Sequence, residues 1–114
     1  MTDHPAHAAT AAALIRDLAE ATTDPREAYG SPGEIASVTG SLLDLARHLE
    51  DALRHLELHM LRSNGDRAGT DGERPGRYPR EASGAIQSAQ AQARNMARAL
   101  SKSVEALSHL KPAP

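Results

Sequence analysis

Apolar residues return at alternating spacings of three and four along two long segments of the chain. In the C-terminal segment, the repeat passes through Ile86, Ala89, Ala93, Met96, Leu100, Ser103, Leu107 and Leu110. In the middle segment, it passes through Ile35, Val38, Leu42, Leu45, Leu49, Ala52 and Leu56. Side chains that return every 3.5 residues, roughly, lie along one side of a helix, which must be buried against another helix. The pattern predicts two long helices folded back on one another.

Signals that begin and end helices divide the chain into three helical elements. In Ser31-Pro32-Gly33-Glu34, the Ser31 hydroxyl can accept from the amide three residues on, and Glu34 can reach back to the Ser31 amide. Helices are predicted at about 5–22, 32–62 and 80–110, with a flexible Gly-rich connection at 63–79. The prediction is one all-α domain over residues 1–114, an up-down-up three-helix bundle with a long antiparallel pair formed by the second and third helices.

Charge is divided between the two long helices. Residues 34–61 carry five acidic and two basic side chains, whereas residues 80–114 carry five basic and two acidic ones. Opposite charges favour antiparallel pairing of these helices, although each exposed pair contributes at most about 1 kcal/mol. The charge pattern therefore supports the pairing without deciding it.

The apolar side chains available for a core are few and small. The chain of 114 residues has no Phe, Trp or Cys and is rich in Ala, which favours helix but buries little area. Because small helical domains often gain stability by associating, we expect a homodimer or a complex with another helical protein. The candidates for that contact are apolar residues that one packed side cannot bury: Leu43, Leu53, Leu58, Met60 and Leu61.

The sequence indicates no catalytic or metal site. His48, His55 and His59 form one cluster, in which the last two are four residues apart and could face one ion. Glu57 is two positions from each of these two and points about 200° away, so only a dimer could bring a second pair close. Nucleophile and phosphate-loop motifs are absent. We expect a non-enzymatic protein with no metal, cofactor or small-molecule substrate.

Targeting signals are also absent from the sequence. No apolar run reaches the length of a membrane span, and the first residues lack the basic region of a signal peptide. The absence of Cys excludes a disulfide framework. We expect a cytoplasmic protein without a membrane partner.

A DNA-binding regulator is a first alternative. Arg94, Arg98 and Lys102 lie four residues apart and form a basic ridge that could follow a phosphate backbone, although the solvated side of a bundle helix has the same pattern. Residues 31–49 are similar to a helix-turn-helix with its turn at Gly40, but the apolar repeat keeps its phase across that glycine. The net charge of −2 argues against a wholly basic nucleic-acid-binding domain.

One stretch carries a resemblance to known proteins. Residues 29–61 read YGSPGEIASVTGSLLDLARHLEDALRHLELHML, a Ser-Pro-x-Glu start that leads into a long Leu-rich helix. With the polar gap and Ala-rich last helix that follow, residues 29–110 resemble small all-helical proteins of high-GC actinobacteria, often associated with plasmids and other mobile elements. The resemblance implies an architecture and a setting, and it assigns no functional residue.

The size and the lack of Cys also match a secreted helical hairpin of the WXG type, which is a second alternative. Its Trp-x-Gly turn is missing, and Tyr29-Gly30 is a poor substitute. The main prediction is a helical protein–protein interaction or accessory module that binds itself or another protein.

Overall fold

Three helices follow one another in the computed structural model of the protein. The structure describes residues 3–71 and 77–110, and the side chains among them except at 63–71. The helices are α1 (His4–Ala21), α2 (Pro32–Asp71) and α3 (Arg77–Ser108). The all-α class and the pairing of the second and third helices are confirmed, because α2 and α3 pack against each other. We call this pair the hairpin.

The molecule is elongated because its two packed helices are long and lie side by side. At about 1.5 Å per residue, a helix the length of α2 extends roughly 60 Å. The principal-axis extents are 71 × 27 × 25 Å, and the radius of gyration is 19.3 Å. A compact chain of this length has a radius of gyration of about 13 Å.

Side-chain caps fix where α1 and α2 begin. The Ala6 amide donates to the Asp3 carboxylate at 3.1 Å. The Glu34 amide donates to Ser31 Oγ at 3.2 Å, as predicted. The Glu34 carboxylate also reaches back, but Oε2 accepts from the Gly30 amide at 2.7 Å rather than from the Ser31 amide. Glycine permits this approach, since a Cβ on Gly30 would lie 2.6 Å from that oxygen.

The connection between the long helices is shorter than predicted. α2 continues to Asp71 and α3 begins at Arg77, so the predicted flexible connection over 63–79 is helical on both sides of 72–76, which lie outside the described residues. The Gly-rich stretch lacks an apolar repeat, which is why no helix was expected there. Extending an existing helix needs no new nucleus, and each interior Gly costs only about 1 kcal/mol.

α1 lies apart from the hairpin. Among the described residues, no Cα atom of α1 comes within 8 Å of one in α2 or α3. None of its side chains is buried, and Leu14 is 63% exposed. Because the helix is rich in Ala, packing it would cover little apolar area. The packed part of the three-helix arrangement is therefore the hairpin.

The core between α2 and α3 is made of small side chains. Ala46 is fully buried, and Leu43, Ala93 and Ala97 are less than one-tenth exposed. Leu100 and Val104 pack against this cluster, and no large side chain of the described residues is fully buried. The core is therefore thin, as the composition predicts.

The side of α2 that packs on α3 is not the predicted one. All three of its buried residues, Leu43, Ala46 and Glu57, follow the predicted repeat by one position. The half-buried residues Ala36, Thr39, Glu50, Leu53 and Met60 continue this side with the same spacing, and Val38 and Leu42 of the predicted repeat are half-buried at its edge. One residue turns by about 100° around a helix, so the predicted Leu repeat lies beside the core. The reason is close approach, because alanines at the crossing leave little room for leucines between the two backbones.

The packed side of α3 also differs from the predicted one, but the difference is smaller than in α2. The packed side contains Ser83, Ile86, Gln90, Ala93, Ala97, Leu100, Val104 and Leu107, and Ala89 is half-buried beside it. Every second member of the predicted repeat is retained, whereas Ala97 takes the place of Met96, which is 42% exposed. At the centre of the contact both helices present alanines, Ala46 on α2 and Ala93 and Ala97 on α3.

Candidate interaction surface

The Leu repeat of α2 forms a partly exposed apolar stripe along the hairpin, in which Val38 and Leu42 are half-buried. The name stripe is used below for these seven residues: Ile35, Val38, Leu42, Leu45, Leu49, Ala52 and Leu56. Its most exposed large members are Ile35, Leu45, Leu49 and Leu56, with exposures between 37% and 49%. From Ile35 to Leu56 the stripe extends about 32 Å at 1.5 Å per residue. Continuous apolar surface of this kind marks a site of interaction more often than scattered leucines do.

α3 widens the stripe into a broad apolar face. Ala89, Met96 and Ser103 each precede a packed residue of α3 by one position, as the stripe residues do in α2. In an antiparallel pair these positions lie on the same side of the hairpin as the stripe. We call the stripe together with these three residues the apolar face. None of its members carries a charge.

The opposite side of the hairpin is charged. Arg94 Nε donates to Glu50 Oε2 at 2.8 Å across the two helices, and Arg54 pairs with Asp51 at 3.1 Å. An open cleft of about 450 Å³ lies here, lined by Arg47, Glu50, Arg94, Ala97, Arg98, Ser101 and Lys102. We call this side the charged face. The Glu50–Arg94 pair shows that opposite charges meet across the antiparallel helices, as the sequence predicts.

A buried polar pair crosses the core. Gln90 Nε2 donates to Glu57 Oε1 at 3.1 Å, and Glu57 is only 8% exposed. Glu57 Oε2 is buried and has no hydrogen-bond partner among the described residues. A slip of one helix along the other would separate the pair, which therefore favours one register. The Leu repeat places Glu57 outside the core, so sequence reasoning misses this contact.

The predicted association residues do not share one surface. Leu43 is 8% exposed and belongs to the core, so α3 already covers it and it is not surplus. Leu53 and Met60 are half-buried on the packed side of α2. Leu58 and Leu61 are 56% and 47% exposed and lie toward the charged face. The exposed apolar residues that the sequence misses as a binding surface are those of the stripe, because the repeat assigns them to the core.

The predicted nucleic-acid ridge lies on the charged face. Arg94, Arg98 and Lys102 are exposed, but the Arg94 guanidinium is engaged by Glu50. α2 begins at Pro32 and runs through Gly40 without a break, so residues 32–49 are one continuous helix and not a helix-turn-helix. The ridge therefore stands alone as the feature of the DNA-binding alternative.

The histidines and the Tyr29-Gly30 dipeptide lie apart from any assembled site. His48, His55 and His59 are exposed, and no group of three metal-ligating side chains comes together in the part of the chain that the structure describes. Tyr29-Gly30 precedes α2, so it is not at the connection between the hairpin helices, where a WXG-type turn would lie.

Comparison of the chain with protein-family models, curated proteins and solved structures finds no match. The resemblance to actinobacterial proteins stays a prediction, and the candidate surface rests on the geometry of the chain itself. Within the described ranges, no helix has both the length and the apolar content needed to cross a membrane.

Proposed function

We propose that this protein is a non-enzymatic helical interaction module that self-associates through the apolar face. One observation carries the proposal: the Leu-rich side of α2 lies outside the core, whereas the side that contains Ala46 and Glu57 lies inside it. A cytoplasmic setting is part of the proposal.

The energetics favour covering the stripe. Fully burying one Leu or Ile side chain is worth about 1.5–3 kcal/mol, and the exposed stripe residues are already partly covered. Their remaining exposure, between 37% and 49%, still represents several kcal/mol in total across Ile35, Leu45, Leu49 and Leu56. Part of that gain offsets the loss of translational freedom on association. Because the core is thin, burial of this surface is the main further contribution that apolar side chains can make to the stability of the protein.

A second copy of the chain is the partner that the apolar face fits best. A face about 32 Å long and two helices, or roughly 20 Å, wide presents on the order of 640 Å² on each copy. A symmetric contact would then bury about 1,300 Å², within the range of specific interfaces. Because the face carries no charge, its contact with itself opposes no like charges.

The test is the absolute mass in solution by light scattering over a concentration series. We expect a mass near twice the 12.1 kDa of the chain. The double variant Leu45→Gln/Leu49→Gln should fall to the monomer mass, since it places two amides in the middle of the apolar face. The matched control Leu58→Gln/Leu61→Gln changes two exposed leucines outside that face and should keep the dimer mass.

Circular dichroism of both variants should show helix content close to that of the parent chain, because the substituted side chains are exposed or half-exposed. A parent chain that stays monomeric at every concentration would refute self-association. Loss of the dimer in the control variant, with the stripe variant unaffected, would move the interface to the Leu58 and Leu61 side of α2.

A further inference from the structure

We infer that two copies pair through antiparallel α2 helices, closing a four-helix bundle whose two-fold axis passes beside Leu45. The inference rests on the proposed function and specifies how the second copy is oriented. Two features of α2 carry it: the spacing of the stripe about its centre, and the charges that border its two ends.

The stripe is symmetric about its centre in residue size. With an axis beside Leu45, Leu42 lies opposite the partner's Leu49, and Ile35 lies opposite the partner's Leu56. Val38 then meets the partner's Ala52, the smallest member of the set. An antiparallel pair therefore sets each large stripe residue of α2 against an apolar residue of the second copy along the full 32 Å or so.

The charges beside the stripe distinguish the two orientations. Exposed residues that precede the stripe positions by one include Glu34 near the start of α2 and His55 near the end of the stripe, with Arg62 about two turns farther on. Asp44 also precedes a stripe position, and it lies beside the partner's Asp44 in either orientation, so it does not distinguish them. Antiparallel pairing brings Glu34 beside the partner's His55 and toward the partner's Arg62. Parallel pairing sets Glu34 against the partner's Glu34 and Arg62 against the partner's Arg62. Opposite charges across a contact fix its orientation, and like charges disfavour it.

The helix dipoles act in the same direction. α2 already packs antiparallel against α3, so an antiparallel second copy gives α2 two neighbours of opposite direction. This is the arrangement of up-down helix bundles, in which a helix with two apolar sides contacts two neighbours. The packed side of α2 serves the first neighbour, and the stripe serves the second.

Disulfide cross-linking tests the orientation cleanly, because the chain has no Cys of its own. Three single variants are used: Leu45→Cys, Leu56→Cys and Ile35→Cys. Under mild oxidation Leu45→Cys should form a covalent dimer, since it lies beside the axis. Leu56→Cys alone should not, because its copies lie roughly 30 Å apart. An equimolar mixture of Ile35→Cys and Leu56→Cys, one isotopically labelled, should give the mixed covalent dimer by intact mass.

The outcomes separate this inference from the proposed function. A covalent dimer of Leu56→Cys as abundant as that of Leu45→Cys, with no mixed dimer, would show parallel pairing and overturn the inference while leaving self-association intact. A dimer by light scattering in which neither Leu45→Cys nor the Ile35→Cys and Leu56→Cys mixture cross-links would overturn the antiparallel α2 contact. The mass of Leu45→Gln/Leu49→Gln then decides separately whether the apolar face holds the dimer. Each variant is first checked for the parent mass under reducing conditions.

Discussion

The two apolar sides of α2 differ in composition and in what covers them. The packed side meets α3 with Ala46, Glu50 and Glu57 among its members, whereas the stripe carries Leu42, Leu45, Leu49 and Leu56 and is left partly exposed. Close helix approach selects small side chains, so burial within one chain does not follow side-chain size. The row of large apolar residues that α3 leaves partly exposed is the feature of α2 from which we propose a second neighbour.

The largest difference between the two sides should come from one substitution made on each. Ala46 is fully buried between the helices, so Ala46→Leu must push α2 and α3 apart and should lower the free energy of unfolding by about 3 kcal/mol. Ala52 lies exposed in the stripe of one chain, so the same added atoms are not confined between α2 and α3. In the proposed dimer they lie beside the partner's Val38, where Ala52 is the smallest stripe residue. Ala52→Leu should change the stability by less than about 0.5 kcal/mol. Urea denaturation at one protein concentration measures both.

The mass in solution provides the control for the two alanine substitutions. Ala52→Leu should keep the dimer mass, since it adds apolar area to the proposed interface. Equal losses of stability in the two variants would show that the stripe, too, packs inside the chain, and the contrast between the two sides would fail.

The helices and their pairing were largely predictable from the sequence. Which side of each helix faces the other was not. The spacing of three and four identified both long helices, and the Ser31 cap identified the start of α2. Either apolar side of α2 satisfies that spacing, however, and the choice of the Leu-rich one placed Leu45 and Leu49 in the core. What decides the phase is the tertiary contact of Ala46 with the alanines of α3, which the local pattern does not encode. The stripe was missed as a candidate binding surface for the same reason.

The polar pair on the packed side gives the next test. Gln90→Leu removes the partner of Glu57 Oε1 and leaves a buried carboxyl group without a hydrogen bond among the described residues. We expect a loss of about 2 kcal/mol in the free energy of unfolding. In the double variant Glu57→Leu/Gln90→Leu both polar groups are gone, and stability should return to the parent value or exceed it. A double variant less stable than the parent chain would show that the pair contributes net stability.

Substitutions at two glycines that lie outside both apolar sides of α2 test effects of the backbone and of a helix cap. A Cβ on Gly84 of α3 would meet no atom within 4 Å, so Gly84→Ala should raise the free energy of unfolding by about 0.5–1 kcal/mol through helix propensity. Gly30→Ala should lower it by a similar amount, because the new Cβ would displace the Glu34 carboxylate from the Gly30 amide. Thermal unfolding followed by circular dichroism measures both shifts, and a loss of stability in Gly84→Ala would contradict its place on an open helix surface.

The smallest effect is expected on the charged face. Arg94 and Glu50 are paired at 2.8 Å with side chains 53% and 24% exposed, so Arg94→Gln should cost about 0.5 kcal/mol of unfolding free energy. The difference from the parent chain should shrink as salt is raised toward 1 M, because screening weakens the pair it removes. Arg98→Gln, on the same face but not in a Glu50 contact, should change stability less. Neither substitution touches the apolar face, so both variants should keep the dimer mass. A loss of the dimer in Arg94→Gln equal to that in the stripe variant would mean that the charged face, and not the Leu stripe, holds the two copies together.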